Sequence, residues 1–247
     1  MILTIAFKEF RSLFATPSTW MILGALQFIF AWFFLARLDA FMQVQAQLAQ
    51  LANAPGATQA VAAPLFGTIA MIMMLLVPVF TMRLIAEERR NQTLTLLLTA
   101  PVSSMHVVLG KYLGLLLFLL LIIADCALMA LILAAGTQLD TGLLLSNALG
   151  LLLLAASYAA LGLYISSLTA QPAVAAIGAL AALFGLWLVE ISAVDSDSTW
   201  RAFSPTAHFQ GFNAGLVNSA DLVYFVLFSA VFLLLTIRRF HNNCIYG

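Results

Sequence analysis

Charge is what this chain has least of. Only 8% of its 247 residues are Asp, Glu, Lys or Arg, and ten acidic residues balance ten basic ones. Soluble domains carry about 25% charged residues, so a soluble core is excluded. The balance also leaves no basic footprint for nucleic acid. Cysteine is nearly absent: Cys126 lies inside an apolar run and Cys244 in the tail, so there is no disulfide framework. Cys126 reads as a small buried hydrophobe. The three histidines, His106, His208 and His241, fall in three separate segments, and no His or Cys pair has metal-ligand spacing. A phosphate-binding loop is missing too. Gly110-Lys111 has its ending, but Met105 stands where the first glycine belongs and no strand precedes it. No cofactor site is expected on this chain, and it reads as a non-enzyme. Energised work would draw on another subunit or an ion gradient.

What is abundant is apolar. The chain is 64% hydrophobic with a mean hydropathy of +1.07. Its apolar runs are too long for the alternating ten-residue strands of a barrel. The expected fold class is therefore an all-α polytopic membrane protein, one domain with six transmembrane helices at 20–36, 65–82, 107–135, 142–166, 173–191 and 222–237. The first is close to the ~17-residue minimum for crossing the hydrocarbon, with Trp20 and Trp32 as interface anchors. The third is longer than needed, so it starts before the membrane or tilts.

Ahead of the spans, residues 2–15 form an amphipathic helix. Leu3, Phe7, Phe10 and Phe14 recur on one face, and Thr4, Lys8 and Arg11 sit beside it. Such a helix lies in the membrane interface. Its length, Glu9 and the lack of a small-residue cleavage site argue against a signal peptide. Residues 37–64 are polar and rich in small residues. A helical extension carries Leu38, Phe41, Gln45, Leu48 and Ala52, and Ala54-Pro55-Gly56 ends it. Six spans put both termini on one side, with Lys8, Arg11, Arg83, Arg89, Arg90, Lys111, Arg238 and Arg239. Arg37 and Arg201 fall on the other. The basic side is expected to be cytoplasmic.

The remaining charge concentrates in one stretch, with Arg83, Glu87, Glu88, Arg89, Arg90 and Lys111 between the second and third spans. Residues 83–106 read as a cytoplasmic coupling region that docks a separate soluble engine. Arg83 and Glu87 have the spacing of an intrahelical pair. Thr93 is a suitable N-cap for a short helix, with Leu94, Leu97 and Leu98 on one face and Pro101 as its stop. Left in water, each exposed leucine would cost about 1.5–3 kcal/mol relative to burial. A groove or the lipid interface must therefore take that face. Ser103 can cap the next helix.

Pro78, Thr81-Met82-Arg83-Leu84, Ala86-Glu87-Glu88-Arg89-Arg90 and Thr93 to Ser103 resemble the signature of type 2 ABC exporter permeases. The branch they look like contains the gliding-motility and copper-site-assembly permeases. Ser204-Pro205, His208-Phe209, Phe212, Gly215 and Asp221 to Phe225 resemble that branch's segment before its last span. Gln92 stands where the branch usually has glycine, and Thr95 where it usually has glutamate. The resemblance implies a bacterial inner-membrane permease without its own ATPase site. ATP and Mg would be bound by a partner, a cytoplasmic ABC ATPase dimer. A second permease, as homodimer or heterodimer, and a periplasmic or membrane accessory protein would complete the complex. It further implies that residues 2–15 are an interfacial elbow and 92–99 the coupling helix. The ATPase-coupling residues would be Arg83, Glu87, Glu88, Arg89, Thr93, Leu94, Leu97, Leu98 and Pro101. Residues 192–220 would be a re-entrant outer gate with Ser204, Pro205, His208, Phe209 and Phe212.

Two carboxylates fall within spans. Asp125 is near the middle of the third, and Glu190 is near the outer end of the fifth. A charge at mid-depth costs about 2.5–3.5 kcal/mol on insertion scales and usually faces a bundle interior or a water cavity. Asp125 is either a charge on a substrate path or subunit interface, or a neutral carboxyl bonded to a hydroxyl such as Tyr158 or Ser157. Glu190 can reach the interface. Three functions fit: export coupled to a separate ATPase, mechanical work on a periplasmic partner without substrate flux, and an ion-coupled carrier using Asp125. The matching central stretch favours the first.

Overall fold

The computed structural model describes residues 1–48, 56–91, 103–135, 139–192 and 201–246. Among these the chain is helical, with no strand. Helix α1 (Ile2–Ala15) is followed by α2 (Pro17–Leu48). A π-helical turn, Thr58–Ala62, leads into α3 (Ala63–Met82), and a second, Arg83–Glu87, carries the same rod on to a last turn, Glu88–Arg90. Then come α4 (Ser104–Leu131), α5 (Thr141–Leu168), α6 (Pro172–Ser192), the short α7 (Pro205–Asn213) and α8 (Ser219–Tyr246). Six helices are long and apolar enough to cross a bilayer: Pro17–Gln45, Thr58–Arg90, Ser104–Ala134, Thr141–Leu168, Pro172–Ser192 and Ser219–Phe240.

Local chemistry sets the helix ends. Pro17, Pro172 and Pro205 each open a helix, where the missing N–H is no loss and φ is already suitable. The Ser103 hydroxyl accepts from Met105 N at 3.3 Å and the Asp140 carboxylate from Leu143 N at 3.1 Å, capping α4 and α5. The elbow between α1 and α2 is pinned three times. Thr16 Oγ1 bonds Leu13 O at 2.9 Å and Thr19 Oγ1 at 2.7 Å, and Trp20 Nε1 donates to Phe14 O at 2.9 Å.

The core is built on α3 and α5. In each, 61% of the spanning window is buried inside the chain, against 17% for α2 and 11% for α8. Phe66, Ile69, Met73, Val77 and Phe80 form the inward stripe of α3. On α5 the small residues Ala155, Ala159, Ala160 and Gly162 let that stripe approach. A Cβ on Gly162 would collide with the Thr81 side chain. This is small-residue packing, which replaces the hydrophobic drive that lipid cannot supply. The apolar residues left outside on α2, α6 and α8 face the bundle's surroundings.

The topology gathers Lys8, Arg11, Arg83, Arg89, Arg90, Lys111, Arg238 and Arg239 at one end of the bundle, here called the basic end. Arg37, Asp140 and Arg201 lie at the opposite end.

One local expectation is corrected. Arg83 and Glu87 do not pair. The turn between them is π-helical, which breaks the i,i+4 spacing the pair needs, and Arg83 Nη1 instead donates to Ser18 Oγ on α2 at 3.3 Å. On α1 a second face, beside the apolar stripe, packs inward, with Phe10 and Phe14 half-buried at its edge. Ala6, Glu9 and Leu13 are buried, while Leu3 and Phe7 are exposed.

Candidate functional site

The basic end is held by one buried cation between two carboxylates. Lys111 Nζ lies 3.1 Å from Glu9 Oε1 and 2.6 Å from Glu88 Oε1, and the lysine is 1% exposed. Glu9 comes from α1, Glu88 from the last turn of the second span, and Lys111 from the second turn of α4. A lysine this buried is tolerated only when paired. The pairing therefore fixes three elements that are distant in sequence.

Glycine makes the approach of α1 to α4 close enough. A Cβ on Gly110 would sit 2.7 Å from Ile5 Cβ, and one on Gly114 would sit 2.7 Å from Ala6 O and 2.8 Å from Glu9 Cβ. Gly110-x-x-x-Gly114 thus forms a notch into which α1 drops, as small-xxx-small stripes do between membrane helices. The same geometry removes the resemblance to a phosphate loop. Gly110 and Lys111 are interior to a helix and taken up by Ile5 and Glu9.

The π turn beside this junction is held from α5. Ser166 Oγ donates to Met82 O at 3.3 Å and accepts from Ala86 N at 3.1 Å. It bridges the two atoms that an unbroken α-helix would join directly, so the wide turn leaves neither buried group unbonded. Arg89 Nη1 approaches Ser167 O at 3.5 Å. Glu87 and Arg90 are exposed. Lys8, Glu9, Ser12, Arg83, Glu87 and Asn91 border a cleft of about 250 Å³ between α1 and the end of the second span. Of the expected coupling residues, the structure brings Glu88 and Arg83 against α4 and α2, and leaves Glu87 outward. Thr93, Leu94, Leu97, Leu98 and Pro101 lie outside the described residues, as does the 92–99 helix.

The opposite end is a second built site. After α6 the chain resumes at a 3-10 turn, Arg201–Phe203, and α7 folds back against α5. Gly150 admits it, because a Cβ there would strike the Phe212 side chain. Ser146 Oγ donates to Phe212 O at 2.8 Å, and Phe209 and Phe212 are buried. Gly215, at φ +84°, closes the helix by a left-handed turn, with Leu216 N bonded to Gly211 O at 2.9 Å. Glu190 gathers the segment. One carboxylate oxygen accepts from Ser204 Oγ at 2.9 Å and from Thr206 Oγ1, and the other from Gln210 Nε2 at 2.6 Å. His208 Nδ1 lies 2.6 Å from Asp221 Oδ1 and its Nε2 lies 3.0 Å from Ala202 O. Its ring stacks on Tyr224 at 3.9 Å, and Tyr224 donates to Phe203 O at 2.7 Å. Ser204, Pro205, His208, Phe209 and Phe212 are thus one packed unit, and Glu190 belongs to it.

Asp125 does not find the hydroxyls expected of it. Ser157 Oγ bonds Leu153 O and Ser229 Oγ, and among the described residues Asp125 has neither a hydrogen bond nor an ion pair. It lines a cavity between α2 and α4 instead. Sequence reasoning also missed Glu9, Lys111 and Ser166 as linked positions. The legible signal was Gly110-x-x-x-Gly114 beside a lysine, set against the lone carboxylate of α1.

Six bilayer-length apolar helices make the chain a multi-pass membrane protein. Residues 3–243 match the model of the ABC-2 family transporter proteins, and the chain belongs to that family. A comparison with curated proteins finds no match. Family membership makes it a membrane permease subunit of an ABC transporter, of the kind that generally pairs with an ABC ATPase and lacks an ATPase site of its own.

Proposed function

We propose that this permease couples ATP hydrolysis in a separate cytoplasmic ATPase dimer to export across a bacterial inner membrane. The observation that carries the reading is the Glu9–Lys111–Glu88 junction. Glu88 lies in the 83–106 coupling region, four residues before the 92–99 stretch expected as the coupling helix. Displacement there is transmitted through Lys111 to α4 and through Glu9 to α1. Both termini and residues 83–106 are cytoplasmic, because eight basic residues gather at that end. ATP and Mg act in the partner. A second permease, identical or different, completes the path, and α7 with Glu190 and His208 serves as the outer gate. The spans and the gate repack between alternative arrangements. The likeness of the central stretch to the gliding-motility and copper-site-assembly branch supports the same reading.

The first experiment is a mild-detergent pull-down at native expression, with co-purifying proteins identified by mass spectrometry. A stoichiometric cytoplasmic ATPase is expected. Recovery of the chain alone, active without nucleotide, would overturn the proposal.

A second reading, mechanical work on a periplasmic partner without substrate flux, is favoured by one observation. Phe203, Leu216 and Val217 are 61%, 69% and 58% exposed beside the packed α7. Cross-linking of these positions to a periplasmic protein, with no flux in liposomes, would select it.

A further inference from the structure

The cavity holding Asp125 has a chemistry of its own. It measures about 390 Å³, within the range of small-molecule pockets. Phe118, Leu121, Ile122 and Asp125 line it from one face of α4, and Trp20, Gly24, Gln27 and Phe30 from the facing stripe of α2. Phe14 closes one end. Its ring meets Trp20 at 5.6 Å and Phe118 at 5.4 Å, both edge-on. Asp125 follows Phe118 by seven residues and Gln27 follows Trp20 by seven, which is about 10 Å of helix in each case. The two helices run in the same direction, so Asp125 and Gln27 share one depth, below an aromatic box.

The wall contains no cation to match the carboxylate. Among the described residues no Lys, Arg or His pairs with Asp125, and Lys111 is committed to Glu9 and Glu88. A carboxylate in an apolar site is costly unless an opposite charge joins it, and aromatic faces attract cations as well. Gly24 and Gln27 are exposed at the rim, and a Cβ on Gly24 meets nothing within 4 Å. The cavity is therefore open from the side, between α2 and α4.

We propose that this cavity binds a lipophilic monocation, its charge at Asp125 and Gln27 and its apolar body among Phe14, Trp20, Phe30 and Phe118. The site is independent of the ATP-coupled reading, since it needs neither the basic-end junction nor a nucleotide.

The test is equilibrium binding of radiolabelled tetraphenylphosphonium to the full chain purified in a neutral maltoside detergent, with no nucleotide present. Saturable binding at one site per chain is expected. Asp125→Asn should weaken it at least tenfold, Asp125→Glu should largely keep it, and Gly24→Phe should abolish it by filling the cavity. Leu121→Trp fills the same space from the other wall and serves if Gly24→Phe does not fold, which size-exclusion chromatography reads. Tetraphenylborate, of the same shape and opposite charge, should not compete. Absence of saturable binding, equal competition by tetraphenylborate, or unchanged affinity in Asp125→Asn would each overturn the proposal. Displacement of the probe by stoichiometric phosphatidylethanolamine would overturn it too, by assigning the cavity to a lipid headgroup. Because binding is read without ATPase, its failure leaves the coupled-export proposal standing.

Discussion

The two ends of the bundle are fastened by different chemistry. At the basic end a single lysine, sealed from water, holds two carboxylates from two other elements. At the opposite end a single carboxylate, Glu190, collects two hydroxyls and an amide from one short segment, while His208 bridges Asp221 and a backbone carbonyl. Both ends use glycine notches, Gly110 and Gly114 under α1 and Gly150 under α7. The difference lies in what is joined. The lysine links three elements from well-separated parts of the sequence, so moving one moves the others. The glutamate ties down one short segment of neighbouring residues through several separate hydrogen bonds. Mutually dependent fastening fits the transmission proposed for the basic end, and divisible fastening fits the gate proposed for the other.

That contrast can be broken by substitution. Lys111→Met removes the buried cation shared by Glu9 and Glu88 and should cost about 3–5 kcal/mol, read as a lowered unfolding midpoint in detergent. The triple variant Glu9→Gln, Lys111→Met, Glu88→Gln should recover much of that stability, yet leave ATP hydrolysis in the complex uncoupled from transport. A triple variant that transports normally would reduce the junction to packing. Next in size are the notches. Gly114→Leu and Gly150→Leu each force backbone or ring displacement, costing about 1–3 kcal/mol or more. Neither obstacle can yield cheaply, since one is the Ala6 backbone and the other is Phe212 Cβ, fixed to its own backbone. Lowered melting points of comparable size are expected for both. Ser166→Ala leaves Ala86 N–H buried without its acceptor and should cost about 1–3 kcal/mol. Hydrogen exchange at residues 83–90 should rise, and unchanged protection there would mean the π turn holds itself. The smallest effect is expected from Glu190→Gln, which keeps an acceptor and loses charge assistance, at about 1 kcal/mol or less. If it matched Lys111→Met in stability, the two ends would not differ as described.

Much of the architecture was legible from composition and spacing. Long apolar runs have one common solution in lipid, a helix, because the backbone must satisfy itself there. Ser103 was readable as the cap of α4, and the same local chemistry sets the starts at Pro17, Pro172 and Pro205 and the Asp140 cap that the structure shows. The site was legible only in part. Glu88 and Arg83 stood out as charges, but their partners did not. The expected Arg83–Glu87 pair followed a regular helical repeat that the π turn removes. The apolar stripe of α1 read as its interface-facing side, but which face docks on α4 was not legible. The bundle uses the face where Ala6 meets Gly114, since close backbone approach drives helix packing when the alternative environment is lipid.

What the sequence by itself determined is the class of the molecule: its helices, their number, and the gathering of basic residues at one end. These depend on local propensity and on transfer from water to hydrocarbon, which act residue by residue. What only the tertiary structure decided is which charges meet. Glu9 and Lys111 are separated by 102 positions in the chain, and no periodicity relates them. Their pairing comes from a glycine notch that lets one helix lie against another, and contact at that distance is a property of the packing rather than of either segment. Asp125 illustrates the same point in reverse, since packing left it facing a cavity and not the hydroxyls nearest in expectation.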